Sequence, residues 1–181
     1  MRYSNTLLEE ELKNRVGEDF FADFNHSTIK GRVDFCIADK QTFMGEPIEY
    51  LWAEAKRSKA NLDHALVQLI LTIGRAQLHT KQSPPPYLGA FDATRIYFIP
   101  FHKLHDIFWM NDFNWSVTPS DHSTKEFSLV AERVQGIIEE ENLTFDFVKD
   151  EKELRKFIKK NFVVGKEKTT KIPITKTNFI T

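Results

Sequence analysis

An α/β domain with a mixed β-sheet between helices is the fold class this sequence predicts, on three observations. Residues Ile48 to Lys56 alternate between two faces, as a strand does; the stretch from Asn61 to about Leu78 repeats its apolar residues at helical spacing; and two short β-rich runs, Tyr87 to Ala90 and Arg95 to Ile99, follow it. Helices and strands mixed in that order imply helices packed on the sheet's faces. At 181 residues the chain supports one complete core and is too short for two ordinary enzyme domains.

Ser4 or Asn5 caps an opening helix through about Val16, with Leu8, Leu12 and Val16 at fourfold spacing and Gly17 as its stop. Glu9, Glu10 and Glu11 stand near the positive end of its dipole. Phe20, Phe21 and Phe24 lead into Thr28 to Ala38, rich in β-branched and aromatic residues, which reads as a strand pair or one bent strand broken at Lys30-Gly31. In the strand from Ile48 to Lys56, one face carries Ile48, Tyr50, Trp52, Glu54 and Lys56. Asn61 or Asp63 caps the next helix, whose stripe of Leu62, Leu66, Leu69, Ile70 and Ile73 predicts that it is largely buried, and Pro84 to Pro86 stop it. Two strands around a polar turn at Asp92 come next. Helices are predicted over His102 to Met110 and Val130 to Glu141, with loop from Asn111 to Lys125 between them. A strand from Leu143 to Val148 and a basic amphipathic helix from Glu151 to Asn161 follow. Lys166 to Thr181 carry no hydrophobic period long enough to finish an element, so the domain is read as residues 1–165 and the rest as a linker or the start of a connection.

With 41% hydrophobic and 28% charged residues the composition is that of a globular protein, not a disordered or fibrous one. No stretch is apolar for the roughly 18 residues a membrane span needs, and the acidic N-terminus does not resemble a signal peptide, so a cytoplasmic protein with no membrane partner is expected. The single cysteine, Cys36, sits in an apolar run and is expected to be a buried thiol. The net charge of -1 argues against holding nucleic acid by electrostatics alone, but Lys149 to Lys176 carry ten basic residues against four acids. There is no glycine loop of a phosphate- or dinucleotide-binding type, and His102 and His105 lack partners at zinc spacing. Trp109, Phe113 and Trp115 fit an aromatic core or loop anchor better than a base-stacking surface.

The chemistry is carried by Asp34, Glu54 and Lys56. All three stand where a structural strand would prefer Val or Ile, and an unpaired carboxylate in a sheet interior is costly, which makes a divalent cation its natural partner. Two hard oxygen ligands suit Mg²⁺, with Mn²⁺ as a substitute. Lys56, two residues after Glu54, projects from the same face, beside that cation and any bound phosphate. The purely structural alternative is Asp34 as a turn cap and Glu54 paired with Lys56 on an exposed strand.

Val33-Asp34-Phe35, a hairpin-length gap and Ala53-Glu54-Ala55-Lys56-Arg57 resemble the signature of the PD-(D/E)XK nucleases, with Val33 in place of the proline. The resemblance covers the first half of the chain and implies a restriction-endonuclease-like α/β fold and Mg²⁺-dependent hydrolysis of double-stranded DNA, with Asp34 and Glu54 as metal ligands. It implies two further site residues: an acid from the first helix, for which Glu11 is chosen with Glu9 close behind, and Gln68 on the helix after Lys56. The run Glu54 to Arg57 followed by Ala65 to Leu69 is most similar to nuclease domains at the N-terminus of bacterial restriction-modification fusion proteins. There a methyltransferase and a target-recognition domain follow on the same chain; for this chain, a transient dimer for double-strand cleavage stands beside cleavage by a single copy. Arg155, Lys156, Lys159 and Lys160 are the expected DNA-backbone contacts.

Overall fold

The computed structural model describes residues 1–27, 32–41, 45–57 and 59–163. Five strands, β1 (Phe35–Ala38), β2 (Glu49–Ala55), β3 (Tyr87–Phe91), β4 (Arg95–Pro100) and β5 (Thr144–Asp146), form one sheet in that spatial order. β2 and β3 pair in parallel and the other neighbours pair antiparallel. A parallel pair needs a crossover, and α2 (Leu62–Arg75) lies within it. With α1 (Glu9–Phe20), α3 (Leu78–Lys81), α4 (Phe101–Phe108), α5 (Lys125–Glu141) and α6 (Glu151–Asn161), this is the predicted α/β architecture, a mixed sheet flanked by helices. Among the described residues no helix is long and apolar enough to cross a membrane.

The sheet separates two cores because side chains alternate across it. Tyr97 and Ile99 of β4 join Cys36, Trp52 and Ala90 under α2, α4 and α5, whereas Ile96 and Phe98 join Phe35, Ala53 and Phe91 under α1 and α6. Cys36 is a buried thiol, as expected, and its Sγ donates to Val33 O at 3.6 Å. α2 contributes ten buried residues, which explains why its apolar stripe is so wide. Burial of each large apolar side chain contributes about 1.5–3 kcal/mol.

Several boundaries differ from the sequence reading for identifiable reasons. α1 begins at Glu9, after Leu8 and not after Ser4 or Asn5, and runs through Gly17 to Phe20. Gly17 serves packing there: a Cβ on it would lie 2.4 Å from the His26 ring. Tyr50 leaves the face it was expected to share with Trp52 and Glu54, because the β1–β2 register shifts between Ile37 and Ala38 and turns Tyr50 into the aromatic core of α1 and α6. α2 stops at Arg75, and Gln77, with φ of 54°, starts the separate turn α3. α5 starts at Lys125, five residues early, because Thr124 accepts a hydrogen bond from Phe127 N at 3.1 Å and Phe127 is buried. Phe113 and Trp115 pack on the core, and Gly74 admits the Trp115 ring, which a Cβ would meet at 2.0 Å. Trp109 is exposed. The predicted break at Lys30-Gly31 and the segment Lys166 to Thr181 lie outside the described residues.

Candidate active site

Glu54 and Lys56 reach the end of β2 with their backbone held firmly. Lys56 N donates to Phe91 O at 2.9 Å, one step beyond β2 along the parallel ladder. The loop that follows is tied by Asp92, fully buried, whose carboxylate accepts from Ala60 N at 3.0 Å, Thr94 N at 2.8 Å and Arg95 N at 3.1 Å. Asn61 then caps α2 by accepting from Asp63 N and His64 N. Two turns on, α2 delivers Gln68 over the same sheet face.

These three side chains form a closed network. Lys56 Nζ donates to Glu54 Oε1 and to Gln68 Oε1, both at 3.0 Å, and Gln68 Nε2 donates to Glu54 Oε1 at 2.9 Å. The Glu54 side chain is only 12% exposed. Its pKa is raised, first by burial, with Asp34 and Glu9 adding to the rise and Lys56 opposing it. Among the described residues no hydrogen bond reaches Glu54 Oε2, and Lys56 uses two of its three donors.

Asp34 stands immediately before β1, not inside it as predicted. Since Phe35 pairs with Ala53 in the antiparallel ladder, one further step brings Asp34 level with Glu54 at the sheet's end. Its two oxygens have different surroundings. Oδ2 accepts from Lys13 Nζ at 2.8 Å, whereas Oδ1 is closed off from solvent and has no hydrogen-bond partner among the described residues. Lys13 was not singled out from the sequence; it is nearly buried and also pairs with Glu10 at 2.7 Å. Burial works against the Lys13 ammonium, yet Asp34 and Glu10 outweigh it and raise the pKa. The available signal was a lysine beside Leu12 on the face that continues at Val16.

The two candidate first-helix acids are placed differently. Glu11 is exposed and, two residues before Lys13, projects away from the sheet. Glu9, four residues before Lys13, shares its side of the helix and is the acid whose charge reaches Glu54. Leu8, used to define the expected face, is the N-cap and is exposed, so Leu12, Val16 and Phe20 define the face instead.

The donor set fits a hard cation that keeps much of its water. Asp34 Oδ1 is a buried carboxylate oxygen without a partner among the described residues, level with Glu54, whose pKa the Asp34 charge helps to raise. Among the described residues no group of three or more His, Cys, Asp or Glu side chains could hold a metal ion. Mg²⁺ is ordinarily bound by one or two carboxylates plus waters.

Of the expected DNA contacts, Lys156, Lys159 and Lys160 are exposed on α6. Arg155 is committed elsewhere: it donates to Asp19 O at 2.9 Å, pairs with Glu151 at 3.1 Å and lies over the Phe20 ring at 4.6 Å. It therefore fastens α6 to the end of α1. Comparison with protein-family models, with curated proteins and with solved structures gave no match.

Proposed function

We propose that this chain is a Mg²⁺-dependent endonuclease domain that hydrolyses phosphodiester bonds of double-stranded DNA. The observation that carries the reading is the buried, unpartnered Asp34 Oδ1 beside the Glu54, Lys56 and Gln68 network. Buried polar atoms ordinarily have a hydrogen-bond partner, so the Asp34 oxygen calls for an explanation, and a cation supplies one. Asp34 and Glu54 would hold the cation, which when bound supplies Lewis acidity and stabilises charge on the phosphoryl group. Lys56 directs its third N–H at a phosphoryl oxygen or the attacking water, and so offsets negative charge that grows in the transition state. Gln68 fixes the directions of both Glu54 and Lys56. The setting we propose is the cleavage domain of a cytoplasmic restriction-modification enzyme, with recognition of sequence residing in domains beyond this chain.

Cleavage of supercoiled plasmid in Mg²⁺ or Mn²⁺ tests the reading. Asp34→Ala and Lys56→Ala, verified as folded, are expected to lose activity by about 100-fold or more. One observation favours a second reading, a non-catalytic nucleic-acid or protein-binding module: each carboxylate already has a lysine, Lys13 on Asp34 and Lys56 on Glu54. Calorimetry with Mn²⁺ separates the two, since the module binds none. Duplex, single-stranded, branched and RNA substrates offered side by side distinguish a restriction nuclease from a repair or RNA nuclease.

A further inference from the structure

We infer that Lys13 is a positioning residue that holds Asp34 while no cation is bound and competes with a divalent cation for that carboxylate. The inference rests on the metal-site reading above. Lys13 occupies a sheet-facing position of α1 between Leu12 and Val16, where an apolar residue would pack without cost. Only 8% of the residue is exposed, and an ammonium is seldom buried so far unless a specific partner requires it. That partner is Asp34 Oδ2 at 2.8 Å, and the other oxygen of the same carboxylate is the orphan. One half of Asp34 is thus neutralised by the protein and the other half is left open.

The second partner of Lys13 gives the exchange a route. Glu10 Oε2, at 2.7 Å, belongs to a side chain that is 74% exposed, so the ammonium has an anchor at the rim to which its flexible stem can retreat. Lys56 differs, because Gln68 and Glu54 hold it from two elements of the fold. An ammonium and a divalent cation on one carboxylate repel each other strongly where water is scarce. Lys13 therefore keeps the carboxylate cluster folded without metal and weakens the cation's hold.

Mn²⁺ titration calorimetry on the whole chain, with thermal melts in chelator, tests this on wild type, Lys13→Met, Lys13→Arg and Asp34→Asn. Lys13→Met keeps the stem and removes the charge; it is expected to bind Mn²⁺ about tenfold more tightly and to melt lower in chelator. Lys13→Arg retains wild-type affinity, and Asp34→Asn abolishes binding in either background. Binding by Lys13→Met alone, with none by wild type, would also support the inference, since Lys13 then excludes the cation outright. If wild type binds through Asp34 but Lys13→Met binds equally or more weakly, Lys13 is only structural and the inference falls while the metal reading stands. If neither binds Mn²⁺, both fall together. Should Lys13→Met not fold, Lys13→Gln carries the same comparison.

Discussion

Glu54 shows how a site residue works against the fold that holds it. Its pKa is raised chiefly by burial, so between the ordinary carboxylate value and the raised one the native state binds a proton that the unfolded state has released. Stability of the metal-free protein therefore falls as pH rises through that window, and ionised Glu54 is a net cost at neutral pH. Glu54→Gln is expected to melt higher than wild type near neutral pH in chelator, and to lose Mn²⁺ binding. The difference should shrink as pH is lowered through the raised pKa toward the ordinary range. Scanning calorimetry from about pH 4 to pH 8 reads both effects. A variant that melts lower at the upper limit would mean that the Lys56 and Gln68 bonds outweigh the burial of Glu54.

At the scale of elements, the site depends on where β2 ends and α2 begins, and Asp92 governs that junction. Its carboxylate ties the loop after Lys56 to the β3–β4 turn through three backbone N–H groups, with no solvent to replace it. Asp92→Ala leaves those donors unpaired and is expected to cost on the order of 3 kcal/mol in urea denaturation. Asn61→Ala, which removes only the α2 cap, is expected to cost about 1 kcal/mol. A cost for Asp92→Ala no larger than for Asn61→Ala would show that the junction holds without it. Periodicity identified the α2 stripe and the alternation of Trp52, Glu54 and Lys56 because both patterns are local. Asp92 looked like an ordinary turn residue, since burial of a turn depends on what α2 places above it.

Over the whole molecule, the sheet keeps the Glu54 network and α6 apart in role. Gln68 lies on the α2 side, while α6 is locked by Arg155 to Asp19 and Phe20, roughly 9 Å along α1 from Lys13. On the proposed reading, Lys156, Lys159 and Lys160 are the expected contacts that α6 leaves free to meet a phosphate backbone. Replacing all three by Gln should flatten the salt dependence of duplex binding by roughly 0.9 in log–log slope for each phosphate that is no longer neutralised. An unchanged slope would exclude these three lysines from the DNA interface. Arg155→Gln is expected instead to lower stability, because it releases α6 from α1.

Apart from Gln68, which only the resemblance to the PD-(D/E)XK nucleases pointed to, the sequence by itself determined the α/β class, the helix between β2 and β3, the buried thiol at Cys36 and the shared face of Glu54 and Lys56. Those follow from side-chain periods of two and 3.6 residues, which operate over a few neighbours. Only the tertiary structure decided that Asp34 stands at the edge of its strand with one oxygen unpartnered among the described residues, that the Glu9 charge helps to raise the Glu54 pKa, and that Lys13 pairs with Asp34. Each of these depends on how α1 rotates against the sheet. That rotation is set by Leu12, Val16 and Phe20 packing into an aromatic core assembled from distant segments, and no local pattern encodes it.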